Sequence, residues 1–283
     1  MGVVTTVRAL RARLDAWRAA RLSIGFAPTM GALHDGHLSL VKQARSLADR
    51  TIVSIFVNPK QFAAHEDLAS YPRDEARDLE LLRAAGCHLA YCPAPEEMYP
   101  EGFQTAVTVE KLSAGLCGVS RPHFFGGVAT VVLKLLNQCA PDVAVFGEKD
   151  FQQLRVIQQM ARDLDLKTKI VGAPILREAD GLALSSRNAY LAPEERRVAG
   201  RLNGVIADVA AALAKGAPVA AALEEGRAAL GAAGFNSIDY LEIRSEAELS
   251  PLGPGPVGKT PARVFVAVTL GRTRLIDNWK IGA

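Results

Sequence analysis

Gly25-Phe26-Ala27-Pro28-Thr29-Met30-Gly31-Ala32-Leu33-His34-Asp35-Gly36-His37 is the stretch on which the fold turns. Leu22–Ala27 reads as a strand and Gly36–Ala48 as an amphipathic helix, with a glycine-containing loop between them. A strand that runs through such a loop into a helix places backbone N–H groups and the positive end of the helix dipole where a phosphate can sit. His34 and His37, three apart around Gly36, can donate to the same phosphoryl oxygens. Gly36 has no side chain, so a nucleotide can approach the backbone there. Two histidines three apart also suit plain surface polarity or one helical face. A zinc site needs a third ligand, and Asp35 points elsewhere on a helix. The His-x-Gly-His order directly after a strand and loop favours the nucleotide.

Outward from this segment the pattern repeats. Thr51–Val57 reads as a β-branched strand, Pro72–Ala84 as a helix with Pro72 in its first turn, and Cys87–Tyr91 as a short strand. Gly127–Asn137 reads as a helix, Val143–Phe146 as a strand, Phe151–Leu164 as a helix and Thr168–Val171 as a strand. This alternation predicts an α/β fold, a Rossmann-like doubly wound parallel sheet with right-handed crossovers. Pro174–Asn188 has no periodicity. Helices Glu194–Ala214 and Val219–Leu230 follow, then strands Ser237–Ile243, Arg263–Leu270 and Thr273–Ile281, the last two joined at Gly271-Arg272 as in a tight hairpin. A smaller C-terminal α+β domain is expected, with domains 1–173 and 174–283.

The balance of residues limits the function classes. The chain has 283 residues, 49% apolar and 22% charged, an ordinary globular composition long enough for two cores. A net charge of +3 with interspersed signs argues against nucleic acid and suits an anionic small molecule. Cys87, Cys92, Cys117 and Cys139 show no Cys-x-x-Cys spacing, so they read as reduced thiols. Arg8, Arg11, Arg13, Asp15 and Arg18 interrupt any export-signal pattern, and the apolar run Val128–Leu136 is too short for a bilayer. A cytoplasmic location without a membrane role is expected.

Further candidates lie along the chain. In Phe146-Gly147-Glu148-Lys149-Asp150-Phe151-Gln152-Gln153, Lys149 offers a compact cation for a triphosphate. Asp150 can serve a ribose hydroxyl or start a helix, and Gln153 falls one turn further on. Leu184-Ser185-Ser186-Arg187-Asn188 puts two hydroxyls and a guanidinium on a loop expected to be mobile, able to stabilise departing pyrophosphate or, more plainly, to cap a helix. Asn58, Gln61 and Tyr71 follow a strand end and can read a hydroxyl or carboxylate without titrating. Gly253-Pro254-Gly255-Pro256-Val257-Gly258-Lys259-Thr260 has the spacing of a P-loop, but two prolines remove donors and a strand follows where a helix must begin.

Taken together, Pro28 to His37, Asn58-Pro59-Lys60-Gln61-Phe62, Tyr71-Pro72-Arg73, Gly147-Glu148-Lys149-Asp150 and Ser185-Ser186-Arg187-Asn188 resemble the pantoate–β-alanine ligase (pantothenate synthetase) family in order and spacing. His-x-Gly-His and Ser-Ser-Arg also resemble the paired signatures of the wider nucleotidylyltransferase and class I aminoacyl-tRNA synthetase superfamily. The resemblance implies that pantoate, β-alanine and ATP give pantothenate, AMP and pyrophosphate, with Mg²⁺, in a homodimer. It assigns Met30, Gly31, Ala32, Leu33, His34, Asp35, Gly36 and His37 to ATP, with His37 catalytic. Gly147, Glu148, Lys149, Asp150, Leu176, Leu184, Ser185, Ser186 and Arg187 are assigned to ATP as well. Gln61 is assigned to pantoate and β-alanine, and Gln153 to pantoate. Leu184 stands where the family often has methionine and Leu176 where valine is common; Arg121-Pro122-His123-Phe124 puts Phe124 at the family's histidine.

The expected chemistry is attack of pantoate's carboxylate on the α-phosphorus, with His34, His37, Lys149, Ser185, Ser186 and Arg187 stabilising the growing charge. No Ser/His/Asp or Cys/His arrangement suggests a covalent enzyme intermediate. The other readings are a nucleotidylyltransferase that leaves AMP on its product, and a non-catalytic nucleotide- or RNA-binding module on the same fold. The sequence leaves open which residues hold Mg²⁺.

Overall fold

Strands β1 (Gly2–Val4), β2 (Ile24–Thr29), β3 (Arg50–Ile55), β4 (Leu89–Tyr91), β5 (Val143–Gly147) and β6 (Lys169–Ala173) pair in parallel in the order β1-β4-β3-β2-β5-β6. This is the doubly wound sheet that the alternation predicts. Its inner strands are buried along most of their length because helices cover both faces. Ala27, Val53 and Ala90 pack with Leu33, Val41 and Leu82 in one cluster, and Val145 and Ala173 pack with Ala44 in another. From β2 the chain winds through β3 toward β4, whereas β5 winds through β6 to the opposite edge. The carboxyl ends of β2 and β5 therefore flank the switch point, where open α/β sheets bind their ligands.

The computed structural model describes residues 1–63, 66 and 68–282 and divides into two compact units. The first comprises Met1–Ser113, Arg121–Glu148 and Gln153–Pro174; the second comprises Ala114–Ser120, Lys149–Gln152 and the chain from Ile175 onward. Two short segments from the first 173 residues thus cluster with the second unit, which a single cut in the sequence does not express.

In the second unit β7 (Ser237–Ser245), β8 (Ala262–Leu270) and β9 (Thr273–Lys280) form an antiparallel sheet in that order. Ile206, Val209 and Leu213 from the helix Leu202–Ala214, and Ala222 and Leu230 from Val219–Ala233, pack with Val264, Val266 and Val268 of β8. Gly271-Arg272 does make the β8–β9 hairpin, with Leu270 opposite Thr273. The segment Gly253–Thr260 leads almost directly into β8, so no P-loop helix follows it.

Several boundaries differ from the sequence reading, each for a local reason. β2 runs on through Pro28 and Thr29; Pro28 is tolerated because β2 pairs with β5 only at Gly25 and Phe26, leaving no ladder bond on that side to break. Pro72 lies outside its helix, which spans Glu75–Ala84 and is capped by Asp74 accepting from Arg77 N at 3.1 Å. Glu194–Ala214 is two helices, Pro193–Ala199 and Leu202–Ala214, broken at Gly200-Arg201, where glycine disfavours helix. β1 went unread because three residues carry no periodicity. Among the described residues no helix is long and apolar enough to cross a membrane.

Candidate active site

The loop after β2 is held by side chains at Gly31, Ala32, Leu33, His34 and Gly36. Gly31 and Ala32 both sit in the left-handed region, with φ of +81° and +50°. Glycine accommodates this at no steric cost; a Cβ on Gly31 would also come within 2.9 Å of an Asp78 oxygen. Asp78, 2% exposed on the helix Glu75–Ala84, accepts from Ala32 N at 2.9 Å and Leu33 N at 2.8 Å. Burial pushes its carboxyl above the ordinary value, outweighing the opposite pull of these two N–H groups. Thr29 donates its hydroxyl to Ser54 O at 2.7 Å and accepts from Gly31 N at 3.3 Å.

The two histidines then cap the helix Asp35–Leu47 between themselves. His34, the N-cap, accepts from Gly36 N on Nδ1 at 3.1 Å, and His37 accepts from His34 N on Nδ1 at 3.4 Å. Their rings lie 4.1 Å apart, tilted by 40°. An imidazole nitrogen that accepts a backbone N–H carries no proton, so each neutral ring bears its hydrogen on Nε2. The sequence led us to expect backbone N–H groups waiting for a phosphate. In the structure Gly31, Ala32, Leu33, His34 and Gly36 already donate within the protein. Most of that row of donors is therefore taken up within the protein, and each imidazole is oriented through Nδ1 by a backbone N–H.

Beyond β3, a short turn, Pro59–Gln61, is capped by the buried Asn58 and ends on the buried Gln61. Asn58 donates to Gln61 Oε1 at 3.0 Å, and Gln61 donates through Nε2 to Met30 Sδ at 3.0 Å, which joins this turn to the loop after β2. Tyr71 is 6% exposed and stands edge-on to Phe62 at 5.9 Å. Arg121 donates to Gln61 O at 3.2 Å and to both oxygens of Glu66 at 2.6 Å, its guanidinium resting 3.8 Å from the Phe124 ring. Burial alone would raise the Glu66 carboxyl, but the bonds and charge of Arg121 hold it below its ordinary value. Phe124 thus supports the arginine that secures Gln61.

Gly147 and Glu148 lie at the carboxyl end of β5, beside that of β2, and Gln153 is half-buried in the helix Phe151–Asp163. In the second unit Lys149 pairs with Asp150 at 3.7 Å, and Asn278 of β9 donates to Lys149 O at 3.0 Å. The neighbouring Asp277 holds Arg177 through two bonds of 2.7 and 3.0 Å. Arg177 pairs across to Ala183 and Leu184 N donates to Leu176 O at 3.0 Å, so Leu176 and Leu184 face each other in a small hairpin. β9 therefore anchors both the Lys149 segment and this hairpin. Ser185 caps the short helical turn Ser186–Tyr190, accepting from Arg187 N at 3.3 Å. Asn188 adds bonds to Glu178 at 2.9 Å and Ala183 O at 3.1 Å. Ser185, Ser186 and Arg187 thus lie in a hydrogen-bonded turn in which Ser185 takes the capping role that the sequence also offers.

Asp78, and the bond from Arg121 to Gln61, escaped the sequence reading. Asp78 is one acid among several in Asp74-Glu75-Ala76-Arg77-Asp78, and nothing in the spacing marks it as the buried one. Among the described residues no cluster of three His, Cys, Asp or Glu could hold a metal ion.

Comparison with known proteins agrees with this geometry. The model of the Pantoate-beta-alanine ligase family matches residues 2–280. Pantothenate synthetase of Caulobacter vibrioides is 55% identical over 280 residues, 99% of this chain and 98% of its own. That of Paramagnetospirillum magneticum is 54% identical, covering 98% and 96%. The crystal structure of pantothenate synthetase from Thermus thermophilus superposes with a TM-score of 0.93 at 47% identity over 99% of both chains. Pantoate-beta-alanine ligase from Francisella tularensis, solved with beta-gamma ATP and beta-alanine, gives 0.84 at 32% identity over 100% and 98%. On sequence, fold and extent alike, the chain belongs to the pantoate–β-alanine ligase family of enzymes.

Proposed function

We propose that this enzyme condenses (R)-pantoate with β-alanine at the expense of ATP through a pantoyl-adenylate, as a step of pantothenate and coenzyme A biosynthesis. A carboxylate is a poor electrophile. Its oxygen attacks the α-phosphorus of ATP, an O–P bond forms, and pyrophosphate leaves. The amine of β-alanine then attacks the acyl carbon, the acyl–phosphate bond breaks, AMP departs and the nitrogen loses a proton. The observation that carries the reading is the histidine pair at the switch point, fixed as Nε2–H donors. The Francisella relative's complex with beta-gamma ATP and beta-alanine supports both substrates.

In this reading Met30 to His37, Gly147 to Asp150, Leu176 and Leu184 to Arg187 serve ATP. His34, His37, Lys149, Ser185, Ser186 and Arg187 stabilise the transferring phosphoryl group and departing pyrophosphate. Gln61 contacts pantoate and β-alanine, Gln153 contacts pantoate, and Asn58 and Tyr71 complete that pocket. Residues 1–173 form the ATP- and pantoate-binding domain, and 174–283 a lid domain carrying Ser-Ser-Arg. Mg²⁺ enters with ATP as part of the substrate, since that ion usually keeps its waters and rides on phosphates. The protein works as a cytoplasmic homodimer.

Product analysis tests the reaction class. With ATP labelled at the α-phosphate, label is expected to appear as free AMP in equal amount to pantothenate. Label retained on an adenylylated product would instead make the enzyme a nucleotidylyltransferase.

A further inference from the structure

The direction of the Gln61 amide is set by groups that cannot turn round. Asn58 Nδ2 lies 3.2 Å from the carbonyl of Gly127, and Asn58 Oδ1 lies 3.3 Å from the N–H of Lys60. A backbone carbonyl only accepts and a backbone N–H only donates, so these two contacts decide which end of Asn58 is oxygen. Two consequences follow. The Tyr99 hydroxyl, 2.7 Å from Asn58 Oδ1, must donate to it. Gln61, whose Oε1 lies 3.0 Å from Asn58 Nδ2, must accept there, which leaves Nε2 on its other side, against Met30 Sδ. Both hydrogens of the Asn58 amide and both lone pairs of its oxygen are then used inside the protein, at a residue only 1% exposed.

The surroundings hold this chain still. A Cβ on Gly127 would collide with the Lys60 carbonyl, so the helix Phe124–Cys139 reaches the turn only because glycine stands there. Arg121 holds the Gln61 carbonyl from outside the turn. Tyr99 packs at 6.2 Å from Phe56 and 5.1 Å from Phe103, and burial pushes its phenol above the ordinary value, which keeps it a donor. Sulfur is a weak acceptor, so an oxygen that replaced Met30 Sδ as the partner of Nε2 would gain hydrogen-bond strength.

We propose that Tyr99 is a positioning residue for substrate binding: acting through Asn58, it holds the Gln61 amide with Nε2 toward the substrate, so that Gln61 meets its ligand as a donor and selects an oxygen acceptor over an ammonium. The proposal rests on the assignment of Gln61 to the acid substrates. It makes the carboxylate or hydroxyl oxygens of pantoate, and the carboxylate of β-alanine rather than its amine, the groups read at this point.

Tyr99→Phe removes one oxygen and keeps the ring packing. It is expected to lower kcat/KM for pantoate about 3- to 10-fold, with ATP binding measured without pantoate unchanged. In a Gln61→Ala background the same change should have no further effect on pantoate, because the relay then ends on nothing. Gln61→Glu, which keeps the packing but turns an acceptor outward, should be worse for pantoate than Gln61→Ala, and this comparison stands even if Tyr99→Phe fails to fold. No effect of Tyr99→Phe on pantoate, an equal loss in both backgrounds, a parallel fall in ATP affinity, or Gln61→Glu outperforming Gln61→Ala overturns the relay. If Gln61→Ala itself leaves pantoate kcat/KM unchanged, the assignment of Gln61 to substrate is what fails, and the relay with it.

Discussion

Replacing His37 by alanine is expected to slow formation of the adenylate about 10²–10³-fold, with a much smaller change in pantoate affinity. The ring accepts the His34 N–H on Nδ1, so its remaining hydrogen, on Nε2, is a donor of fixed direction. Such a preorganised donor matters most where charge grows in the transition state, hence the weight on rate rather than on binding. The N–H groups of Gly31, Ala32, Leu33 and Gly36 around it are already engaged within the protein. Single-turnover adenylation checks this; a wild-type rate in His37→Ala would remove His37 from the chemistry.

Asp78→Ala should produce the largest change in stability. It strands the N–H groups of Ala32 and Leu33, at about 1–3 kcal/mol for each donor left without a partner, so a loss of roughly 2–6 kcal/mol is expected in urea unfolding. Asp78→Asn should fall between, because one amide oxygen still accepts while its NH₂ opposes the other N–H. The pH dependence follows from the burial of this carboxyl, which raises its pKa in the fold above the ordinary 3.8. A raised value means the folded state holds the proton more tightly than the unfolded chain does. The contribution of Asp78 is therefore fullest below that ordinary value and declines as pH rises through the folded one. The stability gap between wild type and Asp78→Asn should narrow over that window, and an Asp78→Ala protein as stable as wild type would refute the clamp.

The parts of the molecule legible in the sequence are those where local pattern and tertiary context agree. Apolar runs of β2, β3 and β5 between amphipathic helices suffice for a parallel sheet, and Gly271-Arg272 suffices for the β8–β9 hairpin. His34 and His37 stand out because their spacing around Gly36 is local too. What spacing alone does not convey is where a polar group is already satisfied. The helix mouth looked like a row of open donors because nothing in the sequence shows that Asp78 reaches it from more than forty residues away. The contacts of Tyr99 with Asn58 and of Arg121 with Gln61 are hidden for the same reason, since they span 41 and 60 residues of chain. The bond by which Asn188 ties the Ser185-Ser186-Arg187 loop to Glu178, ten residues away, is likewise absent from any local pattern.

The central claim is a stepwise path in which pantoate alone drives loss of pyrophosphate. Exchange of labelled pyrophosphate into ATP, measured with enzyme, Mg²⁺, ATP and pantoate but without β-alanine, tests it most directly. Exchange should appear under these conditions and vanish when pantoate is left out. Exchange that requires β-alanine would contradict a free pantoyl-adenylate, and with it the roles of His34 and His37 in forming one.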